Sequence, residues 1–361
     1  MTRPSWLPTW MSQVTAAPCW RATLGSLACS LVLTPFGPVC AQPAAHHSQG
    51  EGLALTGAAG AAQRGGASAA RAVEVAAGVY LLPGAAGEVE IDNLGRIGNA
   101  GFIVGDGGVV AIDTGTSYRH GVALLAAIRR VTDRPVRLAL ITHTRQEFLF
   151  GATAYREQSI PIHMHGRAAA LMQSRCERCL RTLRQLLGED EMHGTAMFKP
   201  DHEFDRPHTI DTIGRRLQVL YFGHSSGPGD VALLDLQTGV LFAGGLVDEL
   251  RIPDLQDADL GGWNAALRSL RELPIKRIVP GHGPVASVKV IDAVERYLGQ
   301  LQTRVRELLQ SGAALSEVPD AAAMPEFSQW DQYETIHRRN ASVLFVRFER
   351  EQMFKQAASQ N

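Results

Sequence analysis

Three histidines, His143, His224 and His282, each stand at the end of an apolar run and just before a turn or a polar segment. Imidazole is the commonest metal ligand and titrates near neutral pH, so such residues can hold a metal or move a proton. A lone histidine at a strand end is more often structural. Three in matching contexts form a more specific signal. Arg145 and Glu147 follow the first histidine closely, and Asp113 closes an earlier apolar run. A carboxylate can ligate or act as a base. A guanidinium is a permanent cation that grips a carboxylate or phosphate through two parallel hydrogen bonds.

The elements that must position these residues can be read around them. The run Leu138-Ala-Leu-Ile-Thr before His143 predicts a buried parallel strand with the histidine at its carboxyl end. Open α/β sheets place their sites at that end. Leu217 to Phe222, then Gly223-His224-Ser-Ser-Gly-Pro-Gly, predicts a strand followed by a turn. Arg277-Ile-Val-Pro-Gly-His282-Gly-Pro284 repeats the arrangement. Val109-Val-Ala-Ile-Asp113-Thr-Gly115 predicts a further strand, with Asp113 capping its turn in the simplest reading.

These segments, with Asn99-Ala-Gly-Phe-Ile-Val, Gly223-His224 through Asp230 and Leu241-Phe-Ala-Gly-Gly245, resemble the metallo-β-lactamase superfamily from about Val79 to about Pro284. The resemblance implies an α/β fold, an αββα sandwich. It implies hydrolysis by a zinc-bound hydroxide, often between two metals. Zinc lowers the pKa of bound water to about 7, which supplies a nucleophile at neutral pH. It also implies that Asp113 is buried beside the metals and orients ligands rather than reacting.

The chain departs from the family's H-x-H-x-D-H motif, reading His143-Thr-Arg145-Gln-Glu147-Phe148. Arginine stands for the second histidine, glutamate for the aspartate and phenylalanine for the last histidine. The family's metal-bridging aspartate falls at Gly245. The first metal would keep His143 and His224; the second would keep His282, with Glu147 available. Arginine donates no lone pair and phenylalanine has no ligand atom, so a standard two-zinc centre is not expected.

Three readings follow. In the first, His143, His224, His282 and Glu147 converge on one ion, zinc or iron, with Glu147 as ligand or base. In the second, Arg145 replaces the missing cation and makes a pocket for a small anion, with no metal bound. In the third, the site is inert and the fold serves a partner. The plain role for Arg145 is a salt bridge to Glu147 or Asp113.

Other residues with chemical potential lie outside this set. Cys176 and Cys179 sit in a strongly helical segment, about 166–188, which would be an insert in the family fold. Residues three apart share a helix face, and in an oxidising compartment a local disulfide is expected, two reduced thiols being the alternative. The insert is similar to that of exported members associated with quinoprotein (PQQ-dependent) oxidation systems, which implies a partner from such a system. His163 and His165 form an H-x-H pair on a predicted strand, read as lying outside the metal site. His193, His202 and His208 fall between the insert and the next strand, without an assigned role.

The chain has 361 residues, a net charge of −1 and 45% hydrophobic residues, enough for a sizeable core. No basic stripe or nucleic-acid motif is present, so nucleic-acid partners are not expected. Residues 1–41 read as a secretory signal, with Arg21 before the apolar stretch and cleavage before Gln42, which predicts a periplasmic protein without stable membrane insertion. Residues 42–72 read as a flexible leader, 73–286 as the metallo-β-lactamase-like domain and 287–361 as a helical extension. Within it, Ser287 to Leu309 is amphipathic at helical spacing, and Ser316 to Phe354 reads as a second helix.

Overall fold

The computed structural model describes residues 70–359, so the expected signal segment and nearly all of the leader lie outside the described residues. Strand β4 (Gly108–Ile112) shows what drives the architecture. All five of its residues are buried. Val109 and Ala111 enter one apolar cluster and Val110 and Ile112 another. Alternate residues of a strand point to opposite faces, so a strand apolar at every position needs a packed layer on each side.

Around it runs a seven-stranded sheet in chain order: β1 (Val73–Ala76), β2 (Val79–Leu82), β3 (Ala100–Gly105), β4, β5 (Val136–Ile141), β6 (Ile162–His165) and β7 (His202–Phe204). Its first four strands are antiparallel neighbours and its last four parallel. A five-stranded sheet holds β8 (His208–Ile210), β9 (Leu217–Tyr221), β10 (Val231–Asp235), β11 (Val240–Phe242) and β12 (Arg277–Val279), in the order β12-β11-β10-β9-β8. Ile103, Val110 and Leu140 of the first sheet meet Val219, Leu233 and Phe242 of the second in a shared core.

Helices cover both outer faces. On the first sheet lie α1 (Tyr118–Val131), α2 (Gln146–Leu149), α3 (Ala152–Glu157) and α4 (Gly166–Met192). On the second lie α5 (Leu260–Arg271), α6 (Val290–Gln310), α7 (Val318–Ala321) and α8 (Arg338–Ser359). The result is the αββα sandwich expected from the sequence, with C-terminal helices. Ser117 caps α1 by accepting from the His120 amide, and Asp259 caps α5 by accepting from that of Gly262.

The helix expected over Ser287 to Leu309 forms as α6, and Val290, Val294, Leu298, Leu301, Val305 and Leu308 are all buried. The segment beyond differs from expectation. Instead of one helix over 316–354, short turns occupy its first half and only α8 is long. Pro319 and Pro325 open two of those turns, where a missing N–H costs nothing. Gln332 in the left-handed region (φ 67°) marks the last break before α8. Helix α4 runs past the expected end of the insert but is interrupted at Gly188, whose φ is 81°.

Candidate functional site

The site begins where β4 and β5 end. Asp113 takes a left-handed conformation (φ 59°), unusual for a non-glycine residue, and turns its carboxylate toward the end of β5. There it accepts from the Thr142 amide at 2.8 Å and from the Thr142 hydroxyl at 2.9 Å. Thr142 Oγ1 lies 2.7 Å from His143 Nδ1. A threonine hydroxyl has one proton, so when it donates to ionised Asp113 it accepts from His143 Nδ1–H. Asp113 therefore reaches the histidine through Thr142. Burial, opposed by the Thr142 hydrogen bonds, raises Asp113 to about 7. Burial, with Arg145 adding to it, lowers His143 to about 3, so that imidazole is neutral.

His282, after β12, is clasped by two carboxylates. Nδ1 lies 2.9 Å from Asp248 Oδ1 and Nε2 lies 3.1 Å from Glu147 Oε1. Asp248 also accepts from the His282 amide at 2.9 Å. Burial opposes charge on His282, but Asp248 and Glu147 outweigh it and raise its pKa. Burial likewise opposes charge on Glu147, yet His282 and Arg145 bring it down to about 2. The arrangement sets the imidazole between two carboxylates and favours its charged form, in which both ring nitrogens donate.

Phe148 lies against both histidines. Its ring centre is 4.2 Å from that of His143 and 5.2 Å from that of His282. Gly98 makes room for it, since a Cβ there would stand 2.6 Å from the phenyl ring. Gly245 is equally confined: a Cβ there would stand 2.7 Å from Asp230 Oδ2 and 2.9 Å from His143 Cδ2. Asp230 is buried and held by the Ser226 hydroxyl at 2.7 Å; burial raises it to about 6.

Arg145, the residue before α2, faces a cavity of about 330 Å³. Its guanidinium pairs with Asp254, rather than with Glu147 or Asp113 as the plain reading of the sequence had it. Arg339 of α8 pairs with the same Asp254 oxygen at 2.6 Å. Burial alone would lower Arg145, but Asp254, Glu147 and Asp230 raise it instead. The cavity is lined by Arg145, Arg175, Arg178, Arg251 and Arg339 against Glu88, Glu147, Asp254 and Asp257.

The expected ligands fall in different surroundings. His282 and Glu147 are hydrogen-bonded to each other, and His143 stands across Phe148 from His282. His224 is exposed, and its Nε2 donates to the Asp257 carbonyl at 2.6 Å. Among the described residues, no three His, Cys, Asp or Glu side chains form a group that could hold a metal ion. Asp230, Asp248 and Asp254 were not singled out from the sequence as site residues. Only Asp230 carried a hint there, closing the Gly-rich turn after His224.

The remaining candidates are also placed. His163 pairs in register with His202, their ring centres 4.7 Å apart, and His165 lies tilted against Tyr221 at 4.0 Å; neither lines the Arg145 cavity. His193 caps the end of α4, and His208 packs on Phe204. Cys176 and Cys179 are free thiols, not the expected disulfide. A regular helix keeps side chains three apart at about 5–6 Å between Cβ atoms, wider than the roughly 3.5–4.5 Å of a disulfide.

A sequence model of the Metallo-beta-lactamase superfamily matches residues 94–282. Among solved structures, the chain is similar to a metallo-beta-lactamase from Pontibacter korlensis, at 23% identity and a TM-score of 0.52, covering 63% of this chain and 98% of that one. It is similar to TMB-1 at 16% identity, a TM-score of 0.51 and coverage of 64% and 97%. It is similar to the DIM-1 metallo-beta-lactamase at 17% identity, a TM-score of 0.50 and coverage of 63% and 96%. At these identities the likeness is one of fold. No curated protein matches the chain.

Proposed function

The chain belongs to the metallo-β-lactamase superfamily, and from that premise we propose that it is an exported member in which an anion-binding pocket centred on Arg145 has taken the place of the zinc centre. The residues at the site do not fit the two zinc ions the family implies. His282 has both nitrogens committed to carboxylates. Arg145 offers no lone pair. Phe148 packs against His143 and His282, and a side chain at Gly245 would press on Asp230 and His143 as they stand. Among the expected ligands, His143 Nε2 and His224 Nδ1 make no hydrogen bond, but the first ring is buried against Phe148 and the second is exposed.

One observation carries the binding reading. Arg145 and Arg339 share a single carboxylate, Asp254, at the wall of the cavity. Two cations on one anion leave one positive charge at that pair, the nearby Glu147 being held by His282, and in a partly dry site that charge attracts an anion. A ligand carboxylate or phosphate beside Asp254 completes the cluster, and a planar guanidinium fork suits either. Export and association with a quinoprotein system belong to the same reading and rest on residues 1–41 and on the likeness of the α4 insert.

The test is titration calorimetry with citrate and with inorganic phosphate, on untagged protein, with and without chelator. Metal content per chain is measured alongside. The expected result is binding that survives chelation and falls at least tenfold in Arg145→Ala, a loss of about 1.4 kcal/mol or more. One or two metal ions per chain, with chelator-sensitive binding or hydrolysis, would overturn it in favour of a repurposed metallohydrolase.

A further inference from the structure

One wall of the Arg145 cavity is a face of α4, and the binding reading leaves its two thiols without a task. Cys176 and Cys179 both line the cavity, one turn apart. Cys176 is buried, Cys179 is half-buried, and both are free. Arg175 and Arg178 flank them on the same helix; Arg175 is engaged by Asp257. Five arginines and four acidic residues line the cavity; Arg251 is engaged by Asp331 outside that lining, so the positive side chains left to a ligand are Arg145 and Arg339, which share Asp254, and Arg178.

The two thiols are unequal. The Cys176 thiol beside it brings Cys179 down to about 7 despite burial, while Cys179 and burial push Cys176 up. Cys179 ionises first and Cys176 keeps its proton. The less buried member is therefore the nucleophile and the buried member a proton-holding second thiol. The spacing adds to this. Joining the two sulfurs requires one turn of α4 to tighten from helical separation, and a strained disulfide is a labile one. Such a pair suits exchange better than a structural cross-link.

We propose that this cavity is a thiol–disulfide exchange site for an anionic disulfide, with Cys179 attacking and Cys176 resolving. Cys179 thiolate attacks one sulfur of the disulfide R–S–S–R. A Cys179–S–S–R bond forms, the original S–S bond breaks, and the leaving R–S⁻ takes the Cys176 proton. Cys176 thiolate then attacks Cys179 Sγ and expels the second R–S⁻, which is protonated from solvent. The chain loses two electrons as one disulfide, and the substrate gains them as two thiols. The charge of the substrate rests on the Arg145 reading; the exchange itself does not.

The probes are dithiobis-nitrobenzoate, a dianionic aromatic disulfide, and dipyridyl disulfide, which is uncharged. Rates with the full-length chain are normalised to those of free N-acetylcysteine, and peptide mass mapping assigns the products on α4. We expect two thiols released per Cys176–Cys179 pair and no retained adduct. Cys176→Ser should release one thiol and keep the adduct on Cys179. The dianionic probe should be favoured about tenfold, a typical scale for electrostatic steering, and Arg178→Ala or high salt should reduce that preference. A stable adduct on the unaltered chain, or an unreactive pair, overturns the exchange. Two thiols released without preference for the dianion overturns the anionic substrate while citrate and phosphate binding is judged separately.

Discussion

His120 shows how a single buried side chain sets a measurable property. It lies within α1, its Nδ1 accepts from the Thr116 amide at 3.1 Å, and burial, with Arg96 adding to it, lowers its pKa to about 3. The unfolded chain takes up a proton on this residue below about pH 6.5 and the folded chain does not. Stability from this group is therefore present above pH 6.5 and lost as pH falls toward 3, at about 1.4 kcal/mol per pH unit. His143 runs the same way, whereas Asp113 and Asp230, raised by burial, run the opposite way. The difference in slope between two proteins isolates His120. His120→Gln should lessen the acid loss of stability between pH 6 and 4 by about that slope, as read by urea denaturation. Parallel slopes would show that His120 is not buried neutral. At this scale the sequence was half legible. His143, Arg145 and Glu147 announce themselves by type and by spacing along one strand and turn. Asp254 does not, because it meets Arg145 from 109 residues away in a loop without periodicity.

Elements were more legible than contacts, and for a physical reason. Periodicity encodes burial, so the β4 and β5 runs and the stripe on α6 could be read directly. Leu298 of α6 is fully buried among Trp263, Leu267 and Phe345 in the outer cluster of the second sheet. Leu298→Ala should cost about 2–5 kcal/mol, seen as a lower denaturant midpoint with an unchanged slope. A loss under about 0.5 kcal/mol, the range typical of surface sites, would mean that α6 does not pack on that sheet as described. The stretch from 316 to 337 misled because its apolar residues meet the same core from turns. Periodicity alone does not separate that case from a helix that prolines interrupt.

For the whole molecule, the αββα architecture was legible through the resemblance its strand-end segments carry; the apolar runs alone predict buried strands, which several layered folds would satisfy. What occupies the site was not legible, since one fold hosts many chemistries. No helix of the described residues is long and apolar enough to cross a membrane. If the Arg145 cavity binds anions, ligand should stabilise the folded chain by mass action, by about 2.7 kcal/mol at a hundredfold excess over Kd. Citrate should accordingly raise the melting temperature in a concentration-dependent way, while chelator leaves it unchanged. A melting temperature that falls with chelator and recovers with zinc would reverse that expectation.

The confinement of Gly245 limits what the turn after β11 can carry. Any side chain placed there meets Asp230 and His143 at once. Placing an aspartate there therefore requires the Asp230 carboxylate and the His143 ring to shift, and it would set a second carboxylate beside that of Asp230. The empty position at 245 is thus a spacer that lets the Asp230 carboxylate and the His143 ring stand close together, and any substitution there is felt by both at once.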